Sequence, residues 1–307
     1  MIFVDDFNGT NDSDRIDAAI SHAESESLRA SCTRTVVFAE RRYRVTRAIT
    51  VMGGVSLASE GGGSDSTELQ FHDIEDGQTL VKLVDGSRTG FRGFRITAAM
   101  NQSAACVTGL ECQSLSSADL RKFQIRLDML GDNSTGIRCS RLSRNAESNS
   151  FAHFEVRAAK PVVFNSGDNC SFRHWDMCCT NSVTGGDVSA IFQGGPATCP
   201  LHLHVGPGTG QRGDHAIYFR SIADRVGSGL FLSGFRWEQG TDHGQAAWVC
   251  DVQRIHATTG QLVHGLETFA MRDCRNSPRQ HSTEIAGTVQ TSIDDSNFLF
   301  GTPKTAA

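Results

Sequence analysis

The chain has 307 residues, 21% of them charged, with a net charge of −5. That length suits one long domain or two ordinary ones. The charge gives no basic field for nucleic acid, and apolar runs such as "TLVKLV" (residues 79–84) are far too short to insert across a membrane. Thirty-one glycines and 18 phenylalanines, against six prolines and two tyrosines, favour many turns and short strands over long helices.

Met1 runs straight into "IFVDDFNGTND", with no basic or apolar leader segment in the sequence given. In "DDFNGTNDSDRIDAAISHA" (5–23), Asn11 or Asp12 is placed to cap a helix, and Ile16, Ala19, Ile20 and Ala23 share one apolar face. Next, "TVVFAERRYRVTRAITVMGGVSLASEGGGS" (35–64) alternates apolar and polar residues between turn signals. The glycines of "EGGGSDS" (60–66) follow no nucleotide-binding pattern and have no Lys-Ser/Thr after them, so they read as a turn.

From Phe91 onward one pattern recurs: a large apolar residue, a second three positions on, and a third two further. The copies are Phe91-Phe94-Ile96, Leu120-Phe123-Ile125, Phe151-Phe154-Val156, Phe172-Trp175-Met177, Pro200-Leu203-Val205 and Leu232-Phe235-Trp237. After each copy comes a short signature, namely "GLEC" (109–112), "GIRC" (136–139), "PVVF" (161–164), "SAIF" (189–192), "AIYF" (216–219) and "AWVC" (247–250). Spacings between the central residues run from 21 (175 − 154) to 32 (235 − 203). A period of that size marks a solenoid, propeller or array, and the local alternation marks strands. A propeller blade needs more residues per unit, and a leucine-rich repeat would show its regular leucines and asparagine. The fold class that remains is all-β, a single-stranded right-handed parallel β-helix solenoid with a short N-terminal capping α-helix, right-handed because parallel crossovers almost always are.

Stacked coils place equivalent residues in columns about 4.8 Å apart. Phe94, Phe123, Phe154, Trp175, Leu203 and Phe235 are expected to form one inward column. Cys112, Cys139, Phe164, Phe192, Phe219 and Cys250 are expected to form another. Most of the ten cysteines then read as buried reduced thiols, since no C-x-x-C or zinc-finger spacing occurs. Two outward columns follow by alternation. One runs Arg95, Gln124, Glu155, Asp176, His204, Arg236, and the other Gly93, Lys122, His153, His174, His202, Gly234. They converge on His153, Glu155, His174, Asp176, His202 and His204.

That patch has three readings: an incidental polar face, a catalytic or sugar-binding site, or a metal site. For catalysis the candidates are Glu155 and Asp176, whose carboxyls one coil apart would suit a retaining glycosidase and would raise one pKa by mutual repulsion. For substrate binding they are His153, His174, His202, His204 and Arg236. No cofactor and no dedicated metal site is assigned. Trp237 reads as inward, Glu238 and Asp242 (with His243) as loop groups near the strand end, and Asp214 and His215 as a solvated turn.

The segment 35–64 resembles the opening coils of the pectate-lyase-like superfamily, in which a Phe-x-x-Gly-x-Tyr-x-Val stretch leads into Leu-x-Val-x-x-Gly-Val-x-Leu-x-Gly-x-Gly. Residues 5–23 resemble its acidic loop and capping helix. Glu40-Arg41-Arg42 departs from the small or glycine turn common there. The resemblance implies a helix plug over residues 1–32, a β-helix over 33–280 and a C-terminal cap or partner-contacting tail over 281–307. No counterpart of the secreted lyases' calcium site or basic groups is recognisable. Family members that lack a signal segment are bacteriophage spikes and fibres made in the host cytoplasm. The resemblance therefore implies a homotrimeric virion protein, on tail or head, that meets other virion proteins and binds host surface polysaccharide, with cleavage left open. The alternative is a polysaccharide-degrading hydrolase or lyase of the same fold.

Overall fold

The computed structural model describes residues 1–63, 66–100, 104–128, 130, 134–142, 147–180, 190–194, 202–211, 215–219 and 228–238, and strand residues within 248–306. A 19-residue helix, α1 (Asp12–Ala30), closes the N-terminal end. Asn11 caps it, its side chain accepting from the Asp14 backbone N–H at 3.0 Å, and Ser31 ends it in the left-handed conformation. Ile16, Ala19, Ile20 and Ala23 are buried, and the helix packs on strands Arg34–Phe38, Arg42–Val45 and Ile49–Met52. It thereby covers apolar core that an open coil end would expose.

Arg41 fastens this plug. Its Nη2 donates to Asp5 Oδ1 at 2.8 Å and to Asp12 Oδ1 at 3.0 Å, and its guanidinium lies 3.7 Å from the centroid of the Tyr43 ring. Tyr43 is fully buried, and burial pushes its hydroxyl up to about 12. Its hydroxyl accepts from the Ala39 N–H at 3.0 Å. Arginine at the turn where the family resemblance implies a small residue thus ties the acidic loop to the helix.

Beyond the plug the chain winds into a right-handed parallel β-helix. A 17-stranded sheet and a seven-stranded sheet, with strands pairing in parallel, form its walls. In the larger sheet each coil contributes two limbs joined at a bend. Strand Ser150–Ala158 pairs with Cys170–Cys179 in strict register, Phe151 on Phe172, Phe154 on Trp175, Glu155 on Asp176 and Val156 on Met177. Phe94, Phe123, Phe154 and Trp175 are all at most 4% exposed. The Phe123 and Phe154 rings stack at 5.0 Å and 6°, Phe151 and Phe172 at 4.5 Å and 3°, the arrangement that identical spacing imposes. Cys112 sits on Cys139 and Cys139 on Phe164. Among the described cysteines, Cys112, Cys139, Cys170 and Cys179 are buried as thiols rather than joined in disulfides.

Two coils depart from the sequence-based columns. Below Trp175 lies Gly208, not Leu203, and Leu203 pairs with Cys170. Phe235 then sits under Gly208. The reason is volume: a Cβ at Gly208 would overlap the Trp175 indole. The large residue that marks the repeat is therefore missing at that coil, and the apolar pair Leu203–Val205 upstream imitates it. In the seven-stranded sheet Gly194 lies between Phe164 and Phe219, while Phe192 sits under Val162. Trp237 is the register partner of Gly210, which in turn pairs with Met177. Parallel pairing continues at Thr283–Ala286, Gln290–Ile293 and Lys304–Ala306. Pro200, Ser189, Asp214, Asp242, His243 and Ala247 lie outside the described residues.

Four outcomes are expected. Phe154→Ala should lower unfolding free energy by roughly 3–5 kcal/mol in urea titration, and Gly208→Ala by roughly 1–3 kcal/mol through displacement of Trp175. Arg41→Ala should cost about 2 kcal/mol, the scale of hydrogen bonds to charged groups. Asp5 is held below the ordinary 3.8, chiefly by its hydrogen bond from Arg41. A depressed carboxyl stabilises above its unfolded value and loses that contribution as pH falls through the folded one. The protection factors of the α1 amides, with the intrinsic pH dependence of exchange divided out, should thus be constant from neutrality to about pH 4 and fall only below it.

Candidate functional site

The bend between the two limbs is built from left-handed residues stacked coil on coil. Gly93, Lys122, His153, His174 and Gly234 all have φ between 50° and 84°. Their N–H groups donate across the coils, Gly93 to Lys122 O at 2.8 Å and His174 to Pro207 O at 2.6 Å. Glycine adopts this conformation freely, whereas each side chain placed there costs on the order of 1 kcal/mol. The middle of the ladder nevertheless carries Lys122, His153 and His174. The last two rings are exposed and stacked, with centroids 4.6 Å apart and planes at 10°. They face outward because the chain turns a corner, not because the strand alternates.

One residue past the inward column lies the second outward column. It reads Glu68, Arg95, Gln124, Glu155, Asp176, Thr209, Arg236. Glu155 is half-buried, and two guanidiniums grip it: Arg157 Nε donates to Oε1 at 2.7 Å and Arg126 Nη2 to both oxygens at 3.3 Å. Arg157 is raised above its ordinary value, first of all by that hydrogen bond. Arg95 Nε donates to Gln124 Oε1 at 3.0 Å. Asp176 is exposed, one coil below Glu155.

These side chains border an open cleft of about 430 Å³. Its polar lining is Gln124, His153, Glu155, His174 and Asp176; Pro207 and Gly208 close one side, with Phe123, Phe154 and Trp175 beneath. The Trp175 Nε1–H donates to Gly206 O at 3.2 Å and fixes that side. The volume falls within the range of small-ligand sites.

The structure brings together four of the seven residues singled out from sequence, His153, Glu155, His174 and Asp176. Arg236 keeps its column but stands two coils below Asp176, beyond Thr209. His202 and His204 do not continue the two columns. His204 pairs with Ser171 and His202 with Gly229, both on the limb before the bend. Pro207 and Thr209 occupy the places expected for them, because Gly206-Pro207 forms the bend in that coil. Sequence reasoning missed Arg126 and Arg157, although Arg157 stands two residues from Glu155, where alternation puts it on the same face. Among the described residues no three of His, Cys, Asp and Glu are grouped to hold a metal ion, and no helix is long and apolar enough to cross a membrane.

No family model matches the chain, and no curated protein matches it. Among solved structures it resembles the Dettilon tailspike protein at 12% identity and a TM-score of 0.42, over 97% of this chain and 65% of the tailspike. It thus spans just under two thirds of that protein. The A-module of a mannuronan C-5 epimerase from Azotobacter vinelandii matches at 13% identity and 0.38, over 100% of this chain and 98% of that one. The catalytic unit of an alpha-1,3-glucanase from Streptomyces thermodiastaticus matches at 10% and 0.44, over 100% and 68%.

The bend gives a prediction that separates ligand-binding from architectural histidines. His153→Gly and His174→Gly remove an exposed ring and relieve a left-handed side chain. Each should leave thermal stability unchanged or raise it, by up to about 1 kcal/mol. A loss of several kcal/mol in either would mean that the stacked imidazoles hold the coils together.

Proposed function

We propose that the cleft binds a glycan and that the protein is a bacteriophage spike or fibre component that attaches to host surface polysaccharide through it. The observation that carries this reading is the 430 Å³ cleft on the outer wall of a β-helix, lined by in-register pairs of carboxylates and imidazoles. A sugar offers vicinal hydroxyls, which paired acceptors on neighbouring coils can take up together. The coil spacing of about 4.8 Å is comparable to the repeat of a pyranose chain, so a polymer lying along the axis meets a carboxylate and an imidazole on two successive coils. The described cysteines stand as thiols and not disulfides, which fits synthesis in a reducing compartment. The virion location, homotrimeric assembly and contact with other virion proteins belong to the same reading. Light scattering on the purified protein tests the trimer.

A second reading, glycoside hydrolysis, draws on one observation: Glu155 and Asp176 are register partners on adjacent coils, and a coil spacing of about 4.8 Å is near the carboxyl separation of about 5–5.5 Å used by retaining enzymes. Two features favour binding over cleavage. Glu155 is engaged by Arg126 and Arg157 as an ion-pair acceptor, and Asp176 is exposed, without the burial that usually turns a carboxyl into an acid near neutrality.

Glu155→Gln and Asp176→Asn should each weaken binding to an array of bacterial surface polysaccharides by at least about tenfold, equivalent to ~1.4 kcal/mol, with thermal stability retained. Size-exclusion chromatography of the best-bound polysaccharide should show no chain shortening after incubation with the parent protein. Shortening that both variants abolish would replace the binding reading with the hydrolytic one. Unaltered binding in both variants would remove the cleft from function.

A further inference from the structure

The register that takes His204 out of the cleft gives it a different partner. His204 stacks on Phe231 of the next coil, with ring centroids 4.8 Å apart and planes at 9°. Both rings point away from the core, since their neighbours Leu203, Val205, Leu230 and Leu232 are buried. His204 is exposed and Phe231 partly exposed.

The rest of that column is unlike them. Above His204 stand Ser171 and Ser150, and below Phe231 come Ala270 and Ser292. The two rings therefore stand face to face as a step among small residues, each covering one face of the other, and the face that His204 turns toward Ser171 is not covered by the other ring. Folding does not call for this. A serine or alanine fits the position in the coils on either side, and a phenylalanine left partly in water forgoes the gain of burial. The step also begins next to the cleft. His204 lies three residues before Pro207, which closes one side of it.

We infer that His204 and Phe231 form a second carbohydrate subsite, which takes the apolar C–H face of a pyranose ring and extends the glycan held in the cleft toward the C-terminal coils. The inference rests on the glycan reading of the cleft. The chemistry differs between the two places: the cleft offers charged and polar groups to hydroxyls, while the step offers the electron-rich face of aromatic rings. A sugar presents both kinds of surface. A ligand long enough to leave the cleft on the Pro207 side reaches the step, and a short one does not.

Chain length is therefore the test. The probes are the best-bound polysaccharide of the surface-glycan array and its disaccharide and hexasaccharide fragments, with affinities measured by calorimetry. The parent should bind the hexasaccharide more tightly than the disaccharide. Phe231→Ser and His204→Ser place in the column the residue its neighbours carry. Each should lose about tenfold on the hexasaccharide, ~1.4 kcal/mol, and nothing on the disaccharide. Phe231→Tyr, which keeps the ring, should retain the parent's affinity for both. Glu155→Gln should weaken both fragments alike. Parent-like hexasaccharide binding in Phe231→Ser and His204→Ser would overturn the subsite and leave the cleft standing. Failure of the parent to bind any glycan would overturn the cleft reading, and the subsite with it. His204→Ser, at an exposed position, decides the matter should Phe231→Ser fold poorly.

Discussion

Everything in this molecule follows from the parallel backbone ladder, which holds each coil at strand spacing above the next and in register with it. A side chain then has no freedom to avoid its counterpart. Apolar counterparts gain from this, and Phe123 on Phe154 or Phe151 on Phe172 become parallel stacks. Polar counterparts gain only when their charges are balanced. Arg42 sits on Glu68 and pairs with it at 2.7 Å. Glu155 sits on Asp176, a like-charged partner, and Arg126 and Arg157 supply the balance from the next outward column. Two carboxylates on adjacent coils are an unfavourable element that the fold did not need, and two cations are held in place beside them.

The bend shows the same contrast between architecture and use. A corner repeated at every coil requires the left-handed conformation each time, and Gly93 and Gly234 meet that requirement at no steric cost. Other corners of the coil use serine, asparagine, aspartate and arginine, as at Asp85, Arg88, Ser114, Ser117, Ser148 and Asn169. Short polar residues tolerate this region because they hydrogen-bond locally. Two exposed histidines stacked on each other at a corner that borders a cleft are less easily explained by tolerance. Backbone strain concentrated at a ligand site is a recurrent physical pattern, and here it coincides with the adjacent carboxylates.

Much of this was legible in the sequence because a solenoid turns periodicity directly into proximity. A helix cap at Asn11 or Asp12 and the face of Ile16, Ala19, Ile20 and Ala23 could be read from the local pattern, and the Phe94 to Trp175 column and the four residues of the cleft by alignment of one coil with the next. Legibility failed where one coil compensated for another. Trp175 is large, so Gly208 beneath it has no side chain, and a pattern defined by large residues jumped to Leu203. The bend was also invisible. Alternation and a corner both turn His153 outward, and only the backbone angle tells them apart. Arg41 could be flagged as unusual but not explained, since its partners Asp5 and Asp12 lie 36 and 29 residues away.

The position of the cleft along the axis has a physical cause of its own. From Phe154 to Trp175 the chain uses 21 residues (175 − 154), against 31 for the coil before it (154 − 123). The saving lies after the second limb. Strand Ser150–Ala158 reaches Lys160–Phe164 across Ala159 alone, whereas residues 99–107 and 127–134 separate the corresponding strands of the two preceding coils. Longer connections cost little entropy to add, so loops accumulate wherever nothing opposes them. At the coil of His153 and Glu155 no such loop has been inserted. A ligand that lies flat against stacked coils requires a wall that no loop covers, and the direct step from Ala158 to Lys160 adds no loop after this limb.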